Sequence, residues 1–254
     1  MARIFITGSS TGLGLLAARR LAGDGHEVVL HARNAARADE ARKALPEAGA
    51  VVMGDLETLD GAKTVAAEAD PLGPFDAIIH NAAVYENGRR DTADGLPATF
   101  SVNVLAPFLL TARMRLPKRL VYLSSGMHLS ASAQLDDVLW RKRPWSGSAA
   151  YSESKLYILM FAFAVARLRP EVVANGVDPG WVPTRMGGRG ATDDLEEGVR
   201  TQAALAAAEG PLARANQQYF HHMAPRSPHP QSHDRGLQDR LLEICEHLTG
   251  VSAP

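Results

Sequence analysis

Tyr151 and Lys155 stand four residues apart in Ala150-Tyr151-Ser152-Glu153-Ser154-Lys155, at the head of an apolar run from Leu156 to Leu168. On a helix that spacing puts both side chains on one face, about 6 Å apart along the axis. A free tyrosine, with a pKa of about 10, trades protons poorly near neutrality. An ammonium ~4 Å away, at an effective dielectric of ~20, attracts a phenolate by on the order of 4 kcal/mol and makes the phenol up to ~1,000-fold more acidic. A phenol tuned in this way gives a proton to a carbonyl oxygen or takes one from an alcohol. Alone, the pair also fits a plainer reading, a helix start with a buried Tyr and a solvated Lys. The elements that would position it decide between the two.

Near the N-terminus a β-rich run, Arg3 to Ile6, leads through Thr7-Gly8-Ser9-Ser10-Thr11-Gly12-Leu13-Gly14 into a helical stretch, Leu15 to Leu21. Strand, glycine turn and helix in that order make a phosphate cradle. Gly8 permits the tight turn, Gly12 lets the backbone approach a pyrophosphate at the helix N-terminus, and Gly14 allows close helix–strand packing. The spacing is Gly-x-x-x-Gly-x-Gly rather than Gly-x-Gly-x-x-Gly. A second strand, Glu27 to His31, runs into Ala32-Arg33-Asn34 with no carboxylate to take the ribose hydroxyls of NAD. Arg33 suits a 2′-phosphate, with His31 and Asn34 as further donors, so NADP is the expected cofactor. After a third strand, Ala50 to Met53, Asp55-Leu56 offers a wall for an adenine ring.

Helices are expected at 35–45 and 58–69, and a fourth strand at Phe75 to His80, followed by Asn81-Ala82-Ala83. The βαβαβαβ alternation predicts an α/β fold: one doubly wound domain over 1–254, with a mostly parallel sheet of about seven strands and helices on both faces. Thr92 to Met114 reads as a long helix whose pattern Pro97 and Pro107 break, with Asn103 inside it. A fifth strand, Lys118 to Leu123, ends at Ser124-Ser125, where ligands of open α/β sheets bind. A sixth, Val172 to Val177, ends in Asp178-Pro179-Gly180-Trp181-Val182-Pro183-Thr184. Thr192 to Ala208 reads as a helix with Asp193 and Asp194 in its first turn, Gln217 to His221 as a seventh strand, and Asp234 to Leu248 as a final amphipathic helix.

The 27 basic and 28 acidic residues leave a net charge of −1, which gives no reason to expect nucleic acid or an anionic membrane as partner. The single cysteine, Cys245, allows no intrachain disulfide, and a cytoplasmic location is the expectation. No apolar stretch is long enough for a membrane span, and the first residues are too short an apolar run for a signal peptide. His221, His222, His229 and His233 lack a helical ligand spacing, so no metal is expected. His80 and His128 abut the proposed site and read better as structural histidines.

Four patterns in this order resemble the short-chain dehydrogenase/reductase family over nearly the whole chain. They are Thr7-Gly8-x-x-x-Gly12-x-Gly14, Asn81-Ala82-Ala83, Ser125 with Tyr151-x-x-x-Lys155, and Pro179-Gly180-x-Val182-x-Thr184. The resemblance implies that Tyr151 is the general acid/base and that Lys155 holds the nicotinamide ribose and lowers the Tyr151 pKa. It implies that Ser125 positions the substrate carbonyl, with Ser124 a rival, and that Asn103 supports a water relay to Lys155. The Val182 backbone and Thr184 would anchor the carboxamide. The family's Asn-Ala-Gly ends here in Ala83. Ser125 and Tyr151 are 26 residues apart, about twice the usual interval, with Trp140, Arg141, Lys142, Arg143, Pro144 and Trp145 between them. This is similar to the retinol-dehydrogenase-like branch and hints at an apolar substrate, although an insertion that only covers the rim fits as well.

The expected activity is reversible, NADP(H)-dependent hydride transfer to or from a small-molecule carbonyl or alcohol, with 184–210 as a lid. A NADP-binding regulator without turnover and a sugar-nucleotide epimerase or dehydratase are the other readings. Pairing of two copies through the Asn103 and Tyr151 helices is a further expectation from the family; the outward face of Leu156 to Leu168 would do that, or would simply pack on the sheet.

Overall fold

Ile4-Phe5-Ile6, Val28-Val29-Leu30 and Ala77-Ile78-Ile79 are short unbroken apolar runs, the pattern of strands buried on both faces. In the computed structural model, which describes residues 1–208 and 210–254, they form the centre of an eight-stranded sheet. The strands are β1 (Arg3–Ile6), β2 (Glu27–Ala32), β3 (Ala50–Met53), β4 (Ala77–His80), β5 (Arg119–Leu123), β6 (Val173–Asp178), β7 (Tyr219–His221) and β8 (Ala224–Arg226). Their spatial order is β3-β2-β1-β4-β5-β6-β7-β8, parallel throughout except for the β7–β8 hairpin. The order reverses at β1, which pairs with both β2 and β4, and the crevice beyond that switch point is where a parallel sheet binds ligands.

Alternate strand residues face opposite layers. Ile4, Ile6, Leu30, Ile79 and Val121 pack with α1 (Gly12–Gly23), α2 (Ala35–Ala44) and α7 (Leu195–Ala207). Phe5, Val29, Ile78, Leu120 and Tyr122 face α3 (Leu59–Ala69), α5 (Ala106–Arg113) and α6 (Gly147–Leu168). The outer side of α6 is not free. It is covered by α8 (Arg235–Thr249) and by the turn Pro230–His233, whose His233 ring stacks on Phe163 at 4.6 Å. Residues 151–166 are buried throughout, so the apolar face left open by the sequence packs within the chain. No described helix is long and apolar enough to cross a membrane.

Three expectations change. The helix expected from Thr92 begins at Ala98: α4 (Ala98–Phe100) passes through a π-helical turn, Ser101–Leu105, into α5. Pro97 caps this segment from outside the helix, and Pro107 follows the π-helical turn, where it has no N–H for the carbonyl one turn back. Helix α7 begins at Leu195. Asp194 caps it by accepting from the N–H groups of Glu196 and Glu197, at 2.8 and 3.0 Å, and Asp193 lies in the loop before it. The eighth strand was not expected because it is three residues long and contains Pro225, tolerable only at an edge. The hairpin turn ahead of it uses His222 and Met223 at φ 44° and 67°, where Asn-Gly is the usual signal.

Candidate active site

The cofactor side is built largely from backbone, held in shape by hydrogen bonds to the side chains of Thr7, His31 and Asn81. Gly14 has no room for a β-carbon, which would lie 2.5 Å from Asn81 Nδ2 and 2.6 Å from the Gly8 carbonyl. Gly8, at φ +62°, takes a conformation that other residues adopt only at a cost. Asn81 donates to the carbonyls of Thr7 (2.9 Å) and Gly8 (3.2 Å), and Thr7 Oγ1 accepts from the N–H groups of Asn81 and Ala82, both at 3.0 Å. His31 Nδ1 accepts from Gly8 N–H at 2.9 Å, so its Nε2 carries the proton and donates to the Gly54 carbonyl, also at 2.9 Å. Burial lowers its pKa.

Ser9 is fully buried, donating to the Ile6 carbonyl and accepting from His31 N–H, both at 2.8 Å. Its hydroxyl therefore stiffens the loop, and of the two serines only Ser10 lines the groove. His31 has both nitrogens engaged and is no spare donor for phosphate, whereas Asn34 accepts from Arg37 N–H at 3.0 Å through Oδ1 as the cap of α2 and keeps its amide N–H groups.

The groove along these loops, about 520 Å³, is lined by Gly8, Ser10, Gly12, Arg33, Asp55 and Leu56 among others. It is also lined by Arg37, which the sequence reading missed although it lies one helical turn beyond Arg33. Helices α2, α3, α6, α7 and α8 each have a side-chain N-cap, from Asn34, Thr58, Ser146, Asp194 and Asp234. Helix α1 has none and no acid in its first turn, so its leading N–H groups face the groove uncapped. That fits a dinucleotide pyrophosphate.

The groove opens into a second cavity of about 570 Å³ through shared walls, Leu13, Ala83, Tyr85, Thr184 and Met186. Ser125, Tyr151 and Lys155 line this cavity together, with Pro179, Gly180 and Val182 from the β6–α7 loop. Tyr85, also unexpected, packs its ring 5.0 Å from that of Tyr151. Ser124 is buried and donates to the Lys155 carbonyl at 2.9 Å, which leaves Ser125 as the serine at the phenol. His128 fixes that serine. Its Nε2 accepts from His229 N–H at 3.1 Å, so Nδ1 carries the proton and donates to the Ser125 carbonyl at 2.6 Å. His80 lies away from the cavity, stacked on Tyr122 at 4.6 Å, and burial drops its pKa to about 3. Asn103 does not touch Lys155. Its amide holds both backbone groups of Val84, at 2.8 and 3.0 Å, and donates to Ser154 Oγ at 2.9 Å.

Lys155 is buried, with Nζ donating to the Leu123 carbonyl at 2.8 Å and lying 5.3 Å from the Tyr151 ring centroid. Burial lowers its pKa to about 7, against an opposing pull from the Asp178 carboxylate. Burial and then Asp178 push the Tyr151 phenol well above the ordinary range, with Ser125 acting the other way. The desolvation that raises the phenol also drives Lys155 toward neutrality, which weakens its pull on Tyr151. Of the insertion, only residues up to Met127 reach the cavity wall. Arg143 lies 3.7 Å over the Trp140 ring and pairs with both oxygens of buried Glu153, at 2.5 and 2.6 Å, so the Trp140–Trp145 part clamps onto α6 instead.

The family model described as short chain dehydrogenase matches residues 2–194. The short-chain dehydrogenase chyC of Penicillium rubens is 38% identical over 257 aligned residues that cover all of both chains. Human retinol dehydrogenase 13 is 28% identical over 99% of this chain and 85% of its own. A solved structure from Mycobacterium paratuberculosis, 27% identical, superposes with a TM-score of 0.85 over 100% of this chain and 95% of that one.

Proposed function

We propose that this chain, which belongs to the short-chain dehydrogenase family, reduces a small-molecule carbonyl to an alcohol, and runs the reverse reaction, with NADP(H) as cofactor. That it is an oxidoreductase follows from the family. The observation that carries the finer reading is the convergence of Tyr151, Ser125 and Lys155 on one cavity that continues into a glycine-walled groove. When bound, the nicotinamide supplies or accepts the hydride.

The chain's own residues do the rest. Gly8, Ser10, Gly12 and Leu13 would receive the pyrophosphate at the uncapped end of α1. Arg33 and Arg37 would meet the 2′-phosphate, and Asp55 and Leu56 the adenine end. Ala83, Pro179, Gly180, Val182 and Thr184 would bound the nicotinamide. Ser125 would hold the substrate oxygen while Tyr151 gives it a proton. A phenol that burial keeps protonated is suited to the reducing direction. Asn103 would support a water relay to Lys155 through its carbonyl, to which Pro107, four residues on, has no N–H to offer.

The lid narrows to the loop before α7, since Val199, Ala203 and Leu205 are core residues; Glu209, at the far end of the expected lid, lies outside the described residues. Trp181 and Met186, 55% and 49% exposed at the cavity wall, support an apolar substrate. A screen of aldehydes, ketones and quinones for NADPH oxidation by the purified protein tests the reading. Oxidation with at least one carbonyl class is expected. Tight NADPH binding with no oxidation across the panel would favour a regulator instead.

A further inference from the structure

The substrate cavity has a second polar wall, Asp178 and His221, at which the reading above places no substrate contact. Asp178 ends β6 and His221 ends β7, and the two are direct partners across the parallel pair. Asp178 is well fixed: Oδ1 accepts from Gly180 N–H at 2.9 Å and Oδ2 from the Tyr219 hydroxyl at 3.2 Å. The same Oδ2 stands 3.3 Å from His221 Nδ1. That nitrogen is sealed from solvent and has no aligned hydrogen-bond partner, while His222 stacks on the ring with centroids 3.9 Å apart. The His221 side chain is nonetheless 30% exposed and lines the cavity with Ser125 and Tyr151. Nε2 is not among the sealed atoms and has no partner among the described residues.

A carboxylate beside Nδ1 favours the tautomer with the proton there, which leaves Nε2 a hydrogen-bond acceptor. Much of the surrounding wall is apolar, including Leu13, Met127, Trp181, Val182 and Met186. We propose that His221, oriented by Asp178, is a specificity-determining residue that accepts a hydrogen bond from a hydroxyl on an otherwise apolar substrate, at a position remote from its reacting carbonyl. This rests on the carbonyl-reductase reading of the same cavity. Binding pockets of this kind gain orientation from a few placed polar groups, and a site built around such a group rejects the analogue that leaves it unpaired.

The test uses two probes of the same body, 6-acetyl-2-naphthol and 6-methoxy-2-acetylnaphthalene. Each is titrated by fluorescence into the protein loaded with oxidised NADP, where no reduction can occur. The naphthol should bind about 2- to 12-fold more tightly than the methyl ether, the weight of one net hydrogen bond. His221→Phe should erase that gap, and His221→Gln, whose amide oxygen still accepts, should keep part of it. Imidazole nitrogen spectra of the wild-type protein give the same answer without a variant: the His221 Nε2 signal should move with the naphthol and not with the ether. Equal affinity of the wild type for both probes, binding of neither, or a gap that survives His221→Phe would overturn the proposal. NADPH oxidation with the same ketones is scored separately. Its absence beside an intact binding preference would count against carbonyl reduction and not against His221.

Discussion

The two ends of the ligand cleft are built on different plans. The cofactor end is anchored on one short stretch: Thr7 to Gly14 carries the turn into α1, its geometry is fixed by hydrogen bonds to Asn81 and His31, and Arg33, Arg37, Asp55 and Leu56 extend the groove. The substrate end is assembled from the ends of β5 and β7, the head of α6, and the end of β6 with the loop that follows it. The first end needs a backbone shape and tolerates little change. The second is a set of side chains that can be exchanged one at a time. In an enzyme family this lets one cofactor site serve many substrates.

If the two ends are separable, variants should sort cleanly between binding and turnover. The largest effect is expected for Tyr151→Phe, which keeps the ring packed near Tyr85 and removes only the proton donor. It should cut kcat by roughly 100- to 10,000-fold while NADPH affinity holds. A large loss of NADPH affinity would instead show that the phenol belongs to both ends. Ser125→Ala should lower kcat/KM by about 100-fold, as loss of a donor to a developing oxyanion does. Ser124→Ala, losing only its bond to the Lys155 carbonyl, should cost about 1 kcal/mol of stability and little rate. The reverse order in the two kcat/KM values would exchange the serines' roles.

Arg33→Ala tests the opposite end. It should weaken NADPH binding by roughly 10- to 150-fold, leave NADH binding almost alone and leave kcat at saturating NADPH unaltered. Titration of both cofactors into wild type and variant reads this directly. If the preference for NADPH survives, Arg37 becomes the phosphate ligand.

Lys155 lines the substrate cavity, and its cost shows in stability. The unfolded chain protonates this lysine below about 10.5 and the folded chain only below about 7. The penalty is therefore full below about pH 7 and fades as pH rises toward 10.5. At ~1.4 kcal/mol per tenfold change in acidity it is on the order of 5 kcal/mol. Lys155→Met should lose activity yet melt higher than wild type near pH 7, with the gap closing in alkali. Melting curves across that range check it, and a gap that widened with pH would contradict the buried-charge account.

The same contrast explains what could be read from the sequence. Period and punctuation were enough for β1 to β7, the glycine loop and the Tyr151 helix, because apolar runs and glycines act locally. Ser124 against Ser125 could not be separated in sequence, since the choice depends on which hydroxyl meets the backbone of α6. The β7–β8 hairpin gave no signal, as its turn uses His222 and Met223 in place of Asn and Gly and its last strand contains Pro225. His221 was legible only as one of several clustered histidines. Its meaning comes from Asp178, forty-three residues earlier and adjacent only in the sheet. Ser9 sits in the loop that the sequence marks as a phosphate cradle, and burial of its hydroxyl was invisible without the His31 backbone beside it.

The account stands on hydride transfer from bound NADPH to a carbonyl carbon, with Tyr151 supplying the proton. The most direct test follows that hydride. NADPH carrying deuterium at the transferable position of the nicotinamide is incubated with the purified protein and a ketone from the panel, and the alcohol is analysed by mass spectrometry and NMR. The account predicts one deuterium on the carbinol carbon of each alcohol formed, with one NADPH consumed per product. Cofactor that is bound but never consumed, or a rearranged product with no net oxidation of NADPH, would contradict it.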